Sequence, residues 1–248
     1  MKTTHDGFLG GRLVLEQPAT GYRAATEPVF LAAACPATTG DNVLDLGCGV
    51  GVAALCLAQR VPGVTVTGVE VQPAYAELAR LNAAANGLSL EVAVADIARL
   101  PPGLAAQNFD HVILNPPFFE GGRVICPHDT GCATARVETL SLIDWCDFAL
   151  RRLKPKGTIT IIQRVERFGD IVAGLGDRAG GIRILPIAAR GGRSAGRVLV
   201  QAKKTSRTPL VLLPPFHVHD GPVHVTDGDD FSAAARAILR DGSALPLG

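Results

Sequence analysis

The sequence predicts an α/β protein built on a doubly wound, mostly parallel sheet. Two features favour this class: runs rich in Val, Ile and Leu alternate with helical patterns from residue 42 onward, and four successive runs end in a polar side chain. With 47% apolar residues in a chain of 248, there are enough apolar side chains for one sizeable core. We therefore expect one large domain with short additions.

The first half of the predicted sheet contains three strands separated by two helices. The strands are expected at 42–46, 64–69 and 90–95, and the helices at 50–60 and 73–86. Pro73 in the first turn and Gly87 after the last residue suit the start and end of the second helix. An earlier helix is expected to start at the N-cap Thr26 and to run through Ala34. Residues 1–25 form an irregular or hairpin-like N-terminal extension.

The second half continues this alternation and ends in two adjacent strands. Strands are expected at 109–114, 157–162, 182–187 and 198–202, and helices at 138–153 and, more weakly, 170–176. The run Lys154-Pro155-Lys156-Gly157 is expected to separate a helix from a strand, and the last two strands are expected to pair as a hairpin. We place the main domain at residues 26–207. Residues 208–248, with several prolines and a short helix at 229–240, form a C-terminal appendage of strand and helix.

Composition argues against several classes of protein. The apolar runs are short and interrupted, and residues 1–6 lack an apolar signal segment, so we expect a cytoplasmic protein that is neither membrane-inserted nor secreted. The six cysteines are scattered, which favours reduced core thiols over a disulfide framework. Cys126-Pro127-His128 and Cys132 lack the further ligands that a metal site needs, so no metal is predicted.

Charge is distributed unevenly along the chain. Residues 151–207 hold fourteen Lys and Arg against three acids, although the whole chain carries a formal charge of only +1. This basic segment either forms ordinary solvated surfaces or builds a side that contacts phosphates. Under the second interpretation, the candidates for sequence-independent phosphate contacts are Arg190, Arg193, Lys203 and Lys204.

A glycine-rich loop, Asp45-Leu46-Gly47-Cys48-Gly49-Val50-Gly51, joins the first strand to its helix. Its glycines allow positive φ angles and a close approach of the backbone to a ligand. An acid beside a pyrophosphate would repel it, so Asp45 favours a cationic or amine-bearing ligand over a dinucleotide. S-adenosylmethionine carries both a sulfonium and an ammonium group. The predicted contacts to it in this loop are Asp45, Gly47, Cys48, Gly49 and Gly51.

Three further polar side chains follow the next strands. Glu70 ends the second strand, where its carboxylate can accept from both ribose hydroxyls, and Val71 directly follows it in the predicted site. Asp96 ends the third strand, where it can accept from an adenine amino group while Ile97 packs on the ring. Asn115 ends the fourth strand. Carboxyl ends of parallel strands share one edge of a sheet, so these groups and the glycine-rich loop predict one ligand site at that edge.

Together these motifs resemble those of class I S-adenosylmethionine-dependent methyltransferases, and the resemblance extends over residues 26–204. The motifs that carry it are Val43 through Gly51, Glu70, Asp96 and Asn115-Pro116-Pro117-Phe118. The resemblance implies a Rossmann-like, seven-stranded sheet whose last strand runs antiparallel, an arrangement that the last two predicted strands would satisfy. It also implies S-adenosyl-L-methionine as cofactor and methyl transfer as the reaction.

The stretch Asn115-Pro116-Pro117-Phe118-Phe119 suits the acceptor half of such a site. An amino group on a conjugated ring is a poor nucleophile because its lone pair is delocalised, and two hydrogen-bond acceptors on its N–H groups oppose that delocalisation. The predicted acceptors are the Asn115 carboxamide oxygen and the carbonyl oxygen of Pro116, on a proline-restricted backbone. Phe118 offers a face on which a planar base stacks, and Phe119 is a candidate second wall. The base must be unpaired or flipped out to reach it.

Within the Asn-Pro-Pro-aromatic group, which implies methylation of a planar amino nitrogen, the chain resembles the bacterial tRNA adenine-N6 methyltransferases that act on valine tRNA beside the anticodon. Besides the acceptor motif, this resemblance rests on Gln17-Pro18, Gly21-Tyr22-Arg23 and Ala135-Arg136. It makes Gln17, Tyr22 and Arg23 candidates for the rim of the site, and Arg136 a candidate contact to substrate phosphate. Each of these residues is equally suited to closing the fold.

The expected function is methylation of an exocyclic amino group of an RNA base, first of all adenine N6 in tRNA, with RNA as the partner and no membrane partner. Two alternatives assume the same pocket but a different methylated nitrogen: guanine N2 in ribosomal RNA, or the glutamine amide of a release factor. Glutamine enzymes more often carry Tyr at the position of Phe118, which favours a nucleobase. A third alternative, a catalytically silent binding platform, predicts loss of the cofactor residues, which are all present here.

Overall fold

The computed structural model describes residues 2–21, 23–117, 140–221, 223 and 230–248. A two-stranded hairpin precedes a large sheet with helices on both faces. The strands are β1 (Thr3–Phe8), β2 (Leu13–Pro18), β3 (Asn42–Leu46), β4 (Thr65–Glu70), β5 (Glu91–Val94), β6 (Phe109–Leu114), β7 (Leu153–Arg164), β8 (Ala179–Ala188), β9 (Ala195–Lys204), β10 (Val211–Leu212) and β11 (Phe216–His217). The helices are α1 (Glu27–Ala34), α2 (Val52–Arg60), α3 (Pro73–Ala85), α4 (Pro102–Ala105), α5 (Leu142–Arg152), α6 (Phe168–Leu175) and α7 (Ala233–Leu239).

The large sheet has the strand order β10-β8-β9-β7-β6-β3-β4-β5, and β11 also pairs with β8. Its strand pairs are parallel except the two that β9 makes with β7 and β8. Strands β3 to β9 are the seven predicted strands, and the last of them runs antiparallel, so the predicted fold class is confirmed. The sheet has nine strands because β10 and β11, two residues each, add to β8. Prolines flank these short strands and cannot donate to a ladder, which restricts them to the edge.

Two apolar cores lie on the two faces of the sheet. Helices α1, α2 and α3, the β1–β2 hairpin and α7 contribute to the first core, and helices α4, α5 and α6 to the second. On β9, Leu199 belongs to the first core and Val200 to the second, since successive residues of a strand point to opposite faces. Burial of both faces explains why the parallel strands are near-continuous apolar runs in the sequence.

Most predicted boundaries lie within a few residues of those in the structure, and β3 and β6 agree at both ends. One prediction is wrong: the run from Lys154 to Gly157 lies inside β7, which begins directly after α5. The β6–β7 register shifts between Phe109 and His111, and Lys156 has a φ of 64°, so an irregularity in the ladder accommodates the proline. Lys154 is held there because its Nζ donates to the Asp110 carboxylate at 2.9 and 2.8 Å.

The starts of two helices also differ from prediction. Thr26 precedes α1, but its side chain makes no capping hydrogen bond, and its carbonyl oxygen instead accepts from two amides of the first turn. Helix α5 begins later than expected, behind a capping box made by Ser141 and Asp144. Residues 138–139 and 229, the first residues of two predicted helices, lie outside the described ranges. None of the helices that the structure describes has the length and apolar character to cross a membrane.

Four of the six cysteines are described, and all four are buried free thiols, as predicted for core residues: Cys35, Cys48, Cys56 and Cys146. Burial raises the pKa of Cys35, Cys56 and Cys146 to about 12, so these thiols stay neutral. Within the described ranges, no three His, Cys, Asp or Glu side chains form a group that could hold a metal ion. Cys126, His128 and Cys132 lie outside this part of the chain.

Candidate active site

Four polar side chains meet at one edge of the sheet. The strands that carry them are neighbours in the order β6-β3-β4-β5, and all are parallel. The register places the end of β3 opposite the ends of β6 and β4, and the end of β4 opposite the end of β5. Along this edge the order is therefore Asn115, Asp45, Glu70 and Asp96, which is the juxtaposition that the sequence predicts.

The glycine-rich loop folds over the end of β4. The amides of Gly47 and Cys48 both donate to the Val69 carbonyl oxygen, at 2.8 and 3.0 Å. Gly47, Gly49 and Gly51 have φ angles of 72°, 55° and 89°, in the left-handed region that glycine adopts most readily. A Cβ at Gly49 would meet no described atom within 4 Å, so the backbone there is open to a ligand.

Trp145 of α5 contacts this loop. A Cβ at Gly47 would lie 2.8 Å from Cη2 of the indole, so glycine at this position lets the ring approach the loop backbone. Sequence reasoning missed Trp145, because the two residues are far apart in the chain and the helical pattern marks Trp145 only as an apolar position. Since the chain has one tryptophan, its fluorescence reports on this loop.

Asp45 is the buried acid of the site. It is only 2% exposed, and its Oδ2 has no hydrogen-bond partner among the described residues. Burial, and then the charge of Glu70, raise the pKa of Asp45 to about 7, although the Ala54 amide favours the ionised form. A buried carboxylate oxygen without a partner is costly, so this residue suits a ligand that brings a positive charge or N–H donors. The ammonium and sulfonium groups of S-adenosylmethionine fit that requirement.

Glu70 holds the loop with both carboxylate oxygens. Oε2 accepts from the Gly49 amide at 3.0 Å, and Oε1 accepts from the Gln72 amide at 2.8 Å. Each oxygen has a second lone pair, so the carboxylate that shapes the loop can also accept from the two ribose hydroxyls predicted for it. Val71, next in the chain, is 58% exposed and offers an apolar surface at the same strand end.

The two residues predicted after the third strand are divided between surface and core. Asp96 is exposed, and its Oδ1 accepts from the Ala98 amide at 2.9 Å. The Ile97 side chain is buried and belongs to the second core. The structure thus leaves Asp96 accessible to a ligand amino group, whereas it places Ile97 among core residues rather than as an open platform for a ring.

Asn115 lines the same pocket as Asp45 and the glycine-rich loop. It directly follows β6 and is partly buried. The other pocket walls include Asp45 and the loop residues Gly47 to Gly49, together with Gln17, Ala24 and Tyr75 from outside the loop. The predicted acceptor residue therefore shares one cavity with Asp45 and the first part of the glycine-rich loop.

The carbonyl group of Pro116, the second predicted acceptor, is fixed by a glutamine. Pro116 is buried, and its carbonyl oxygen accepts from Nε2 of Gln163 at 3.1 Å. Gln163 near the end of β7 is 1% exposed, and its Oε1 accepts from the Arg164 amide at 2.8 Å. Sequence reasoning missed Gln163, and a polar residue at the end of an otherwise apolar strand was the signal available.

The N-terminal candidates at the rim have structural partners. Gln17 lines the pocket, and it accepts from the Ala24 amide at 2.8 Å and donates to Asp6 at 2.7 Å. Arg23 forms an ion pair with Asp6 at 2.7 Å, so it closes the segment that follows the hairpin. Four further predicted contacts lie outside the described residues: Tyr22, Phe118, Phe119 and Arg136.

The basic residues predicted to contact phosphates lie at opposite ends of the sheet: two at the carboxyl ends of the parallel strands and two at the amino ends. Arg190 and Arg193 lie in the β8–β9 loop at the carboxyl edge, on the same side of the sheet as the pocket. Arg190 pairs with Asp230, whereas Arg193 is exposed. Lys203 and Lys204 end β9, which runs antiparallel, so they lie at the opposite edge.

Comparisons with known proteins agree with this geometry. The family model described as methyltransferase small domain matches residues 26–166. A relative from Porphyromonas gingivalis named tRNA1(Val) (adenine(37)-N6)-methyltransferase is 33% identical over 174 residues, covering 67% of this chain and 68% of the relative. A relative of the same name from Actinobacillus succinogenes is 29% identical over 205 residues, covering 82% of this chain and 85% of the relative.

Solved structures give the same fold. A protein from Agrobacterium tumefaciens described as a predicted O-methyltransferase superposes with a TM-score of 0.71 and 28% identity, covering 89% of this chain and 98% of that one. The family model spans more than half of the chain, and its range contains Asp45, Glu70, Asp96 and Asn115. The chain therefore belongs to the methyltransferase small domain family and is an S-adenosylmethionine-dependent methyltransferase.

Proposed function

We propose that this enzyme methylates the exocyclic amino group of an RNA base, and that the base is adenine, methylated at N6, in a tRNA. The observation that carries the proposal is that Asn115 and Asp45 line one pocket, with the Pro116 carbonyl directly after Asn115. This places acceptors for an amino group beside residues suited to the cofactor. The relatives named tRNA1(Val) (adenine(37)-N6)-methyltransferase support adenine in tRNA as the substrate.

Three elements of the chain would hold the cofactor. When bound, S-adenosylmethionine supplies an electrophilic methyl group. The Asp45 carboxylate, whose Oδ2 has no partner among the described residues, suits a cationic group of the ligand. The open backbone at Gly49 allows close approach, and Glu70 has lone pairs left for two hydroxyls.

Two oxygens of the chain would hold the substrate amino group. The Asn115 carboxamide and the Pro116 carbonyl each accept one N–H, which favours a tetrahedral nitrogen with its lone pair available. Gln163 occupies one lone pair of the Pro116 oxygen and leaves the other for substrate. Neither oxygen is basic enough to take a proton. An amino nitrogen can attack as the neutral group, and the methylated cation then loses its extra proton to water. A hydroxyl substrate would instead need a base before attack, so this pair favours nitrogen over oxygen as the methylated atom.

The rest of the substrate site is assigned from the sequence. We propose that Phe118 and Phe119 stack on the target base, which must leave its helix to reach the pocket. Arg193 at the carboxyl edge, with Arg136, would contact backbone phosphates, whereas Arg190 is held by Asp230. We assign catalysis to residues 26–207, with 1–25 and 208–248 as flanking elements, and a tRNA substrate favours the cytoplasm as the place of action.

The proposal is tested by incubating the enzyme and S-adenosylmethionine with tRNA and ribosomal RNA from cells that lack the gene. The RNA is then digested, and its nucleosides are identified by mass spectrometry. We expect N6-methyladenosine in tRNA. Appearance of N2-methylguanosine in ribosomal RNA would instead favour guanine N2 as the methylated atom. A product methylated on oxygen would contradict the role given to Asn115 and Pro116.

A further inference from the structure

A second pocket lies at the edge of the sheet opposite the active site. It is formed by the end of α5, the turn before β8 and the residues at and after the end of β9, and its main walls are Leu150, Arg151, Asp177, Arg178, Lys204 and Arg207. Because β9 is antiparallel, it runs from the active-site edge at Ala195 to the pocket at Lys204. The strand registers align Leu114 with Val200, so Asn115 lies level with Leu199, five residues or about 17 Å along the strand from Lys204. Because β9 is also two strands away from β6, the separation is about 20 Å.

The walls of this pocket are positively charged. Arg151 and Arg178 share one carboxylate, because Arg151 pairs with Asp147 at 2.6 Å and Arg178 pairs with its other oxygen. Lys204 donates from Nζ to a backbone carbonyl oxygen at 2.6 Å and forms no ion pair with another residue of the described ranges. Arg207 is exposed and forms no ion pair with a described residue.

The cations lie close enough to repel one another. Burial, and then the charges of Arg152 and Arg178, lower the pKa of Lys204. Arg152 also has a buried Nη1 with no hydrogen-bond partner in the described part of the chain, which is unfavourable for a charged donor. Among the described residues around the pocket, the five cations Arg151, Arg152, Arg178, Lys204 and Arg207 outnumber the two carboxylates of Asp147 and Asp177. An anion with several acceptor oxygens would offset this repulsion.

Two adjacent lysines of β9 differ in their relation to the pocket. Lys204 is two and four residues after Ala202 and Val200, which belong to the second core, so its side chain points to that face of the sheet. There it lines the pocket beside α5. Lys203 is four residues after Leu199, which belongs to the first core, so its side chain points to the other face of the sheet. Lys203 thus carries the same charge at the same edge without reaching the pocket.

We propose that this pocket binds phosphate groups of the RNA substrate, about 20 Å from Asn115. The inference rests on the proposed function, because one ligand must extend from the carboxyl edge to the pocket. A ligand that occupies both sites must therefore extend over about 20 Å. A shorter hairpin with the same target base would reach the active site and not the pocket.

The test measures binding of labelled tRNA by fluorescence anisotropy over a range of salt concentrations. We expect Lys204→Gln and Arg207→Gln each to weaken tRNA binding about threefold to tenfold and to lower the slope of log Kd against log salt by about one. Neither variant should change binding of the shorter hairpin. Lys203→Gln is the matched control and should keep the wild-type slope. Glutamine at 204 retains a donor for the carbonyl oxygen, and thermal denaturation checks that each variant folds.

Two results would overturn the inference even if the enzyme methylates tRNA. One is a wild-type salt slope in both pocket variants. The other is an equal fall in slope for Lys203→Gln, which would indicate a general effect of charge. Failure of the wild-type enzyme to methylate tRNA would instead contradict the proposed function. The two failures are distinguishable because the pocket is tested by tRNA binding and the proposed function by methyl transfer.

Discussion

Gln163 donates from Nε2 to the carbonyl oxygen of Pro116 at 3.1 Å, across a sequence separation of 47 residues. Both residues are buried, and Gln163 is itself oriented because its Oε1 accepts from the Arg164 amide. The hydrogen bond ties the acceptor segment after β6 to the end of β7. It therefore fixes the direction in which the remaining lone pair of the Pro116 oxygen points, and we assign Gln163 the role of a positioning residue.

The Gln163→Glu variant tests that role through the pH dependence of its kcat. An ionised Glu keeps the acceptor for the Arg164 amide but presents a second acceptor to the Pro116 oxygen, so the carbonyl group is displaced. We expect kcat to fall about tenfold to a hundredfold at pH values where the introduced Glu is ionised, as for other small misplacements of reacting groups. Protonation restores a donor, and burial favours the protonated form, so activity relative to wild type should rise as pH falls. A kcat profile from acidic to alkaline pH measures this.

Gln201→Glu is the matched control for that experiment. Gln201 is also a buried strand glutamine, and its Nε2 donates to the Ala34 carbonyl oxygen at 3.0 Å, away from the pocket. Its variant should show no recovery of relative kcat in acid. If Gln163→Glu and Gln201→Glu have the same pH profile, Gln163 has only a structural role.

Asp45→Asn should stabilise the free protein while impairing its function. The folded-state pKa of Asp45 is about 7, above its ordinary value of 3.8, so the folded protein binds more protons than the unfolded chain between these values. Stability therefore decreases as pH rises from about 4 to about 7, by at most about 4 kcal/mol. Asparagine removes this cost, so thermal denaturation should show a higher Tm than wild type at pH 8 and a clearly smaller gain at pH 5.

The same Asp45→Asn variant, although more stable, should bind the cofactor more weakly. Loss of the charge should weaken S-adenosylmethionine binding about tenfold to a hundredfold, measured by calorimetry. Asp96→Asn is the control, because its carboxylate is at the same edge but exposed, and its Tm should show no such pH-dependent gain. Equal Tm values for Asp45→Asn and wild type at pH 8 would show that ionised Asp45 finds a partner in the free protein.

Two glycines of the loop should respond differently to the same substitution. A Cβ at Gly47 meets the Trp145 ring at 2.8 Å, whereas a Cβ at Gly49 meets open space. Both substitutions should cost about 1 kcal/mol of stability from the left-handed backbone angle, and Gly47→Ala should cost about 1–3 kcal/mol more from the clash. Gly49→Ala should instead weaken cofactor binding, because the methyl group fills the open space beside the backbone.

Thermal denaturation and calorimetry on both glycine variants separate these effects. Trp145→Leu in the Gly47→Ala background should recover part of the lost stability, because it removes the clashing ring. If Gly47→Ala and Gly49→Ala lose equal stability, the indole contact does not restrict the loop.

The sequence was sufficient to predict the sheet and the four polar strand ends. Asp45, Glu70, Asp96 and Asn115 each follow from a local pattern, an apolar run that ends in a polar residue, and the rule for parallel strands then brings them together. The start of β7 was mispredicted, because proline and glycine signals indicate a break, whereas the ladder accommodates them through a register shift.

Contacts between distant elements could not be predicted in this way. Gln163 and Trp145 contribute to the site only through Pro116 and Gly47, which belong to other elements. Charge along the sequence was also insufficient, because the count of basic residues from 151 to 207 does not show which edge or face each residue occupies. The antiparallel direction of β9 is what separates Lys204 from the active-site edge.

The most direct test of the acceptor assignment is Asn115→Ala, with cofactor binding and methyl transfer measured on the same preparation. We expect S-adenosylmethionine to bind within a few-fold of wild type, because Asp45, Glu70 and the loop are unchanged. Transfer to tRNA should fall by about a hundredfold or more, as when one positioned hydrogen-bonding group is removed from an active site. Loss of cofactor binding, or retention of transfer at the wild-type rate, would contradict the assignment of Asn115 to the substrate amino group.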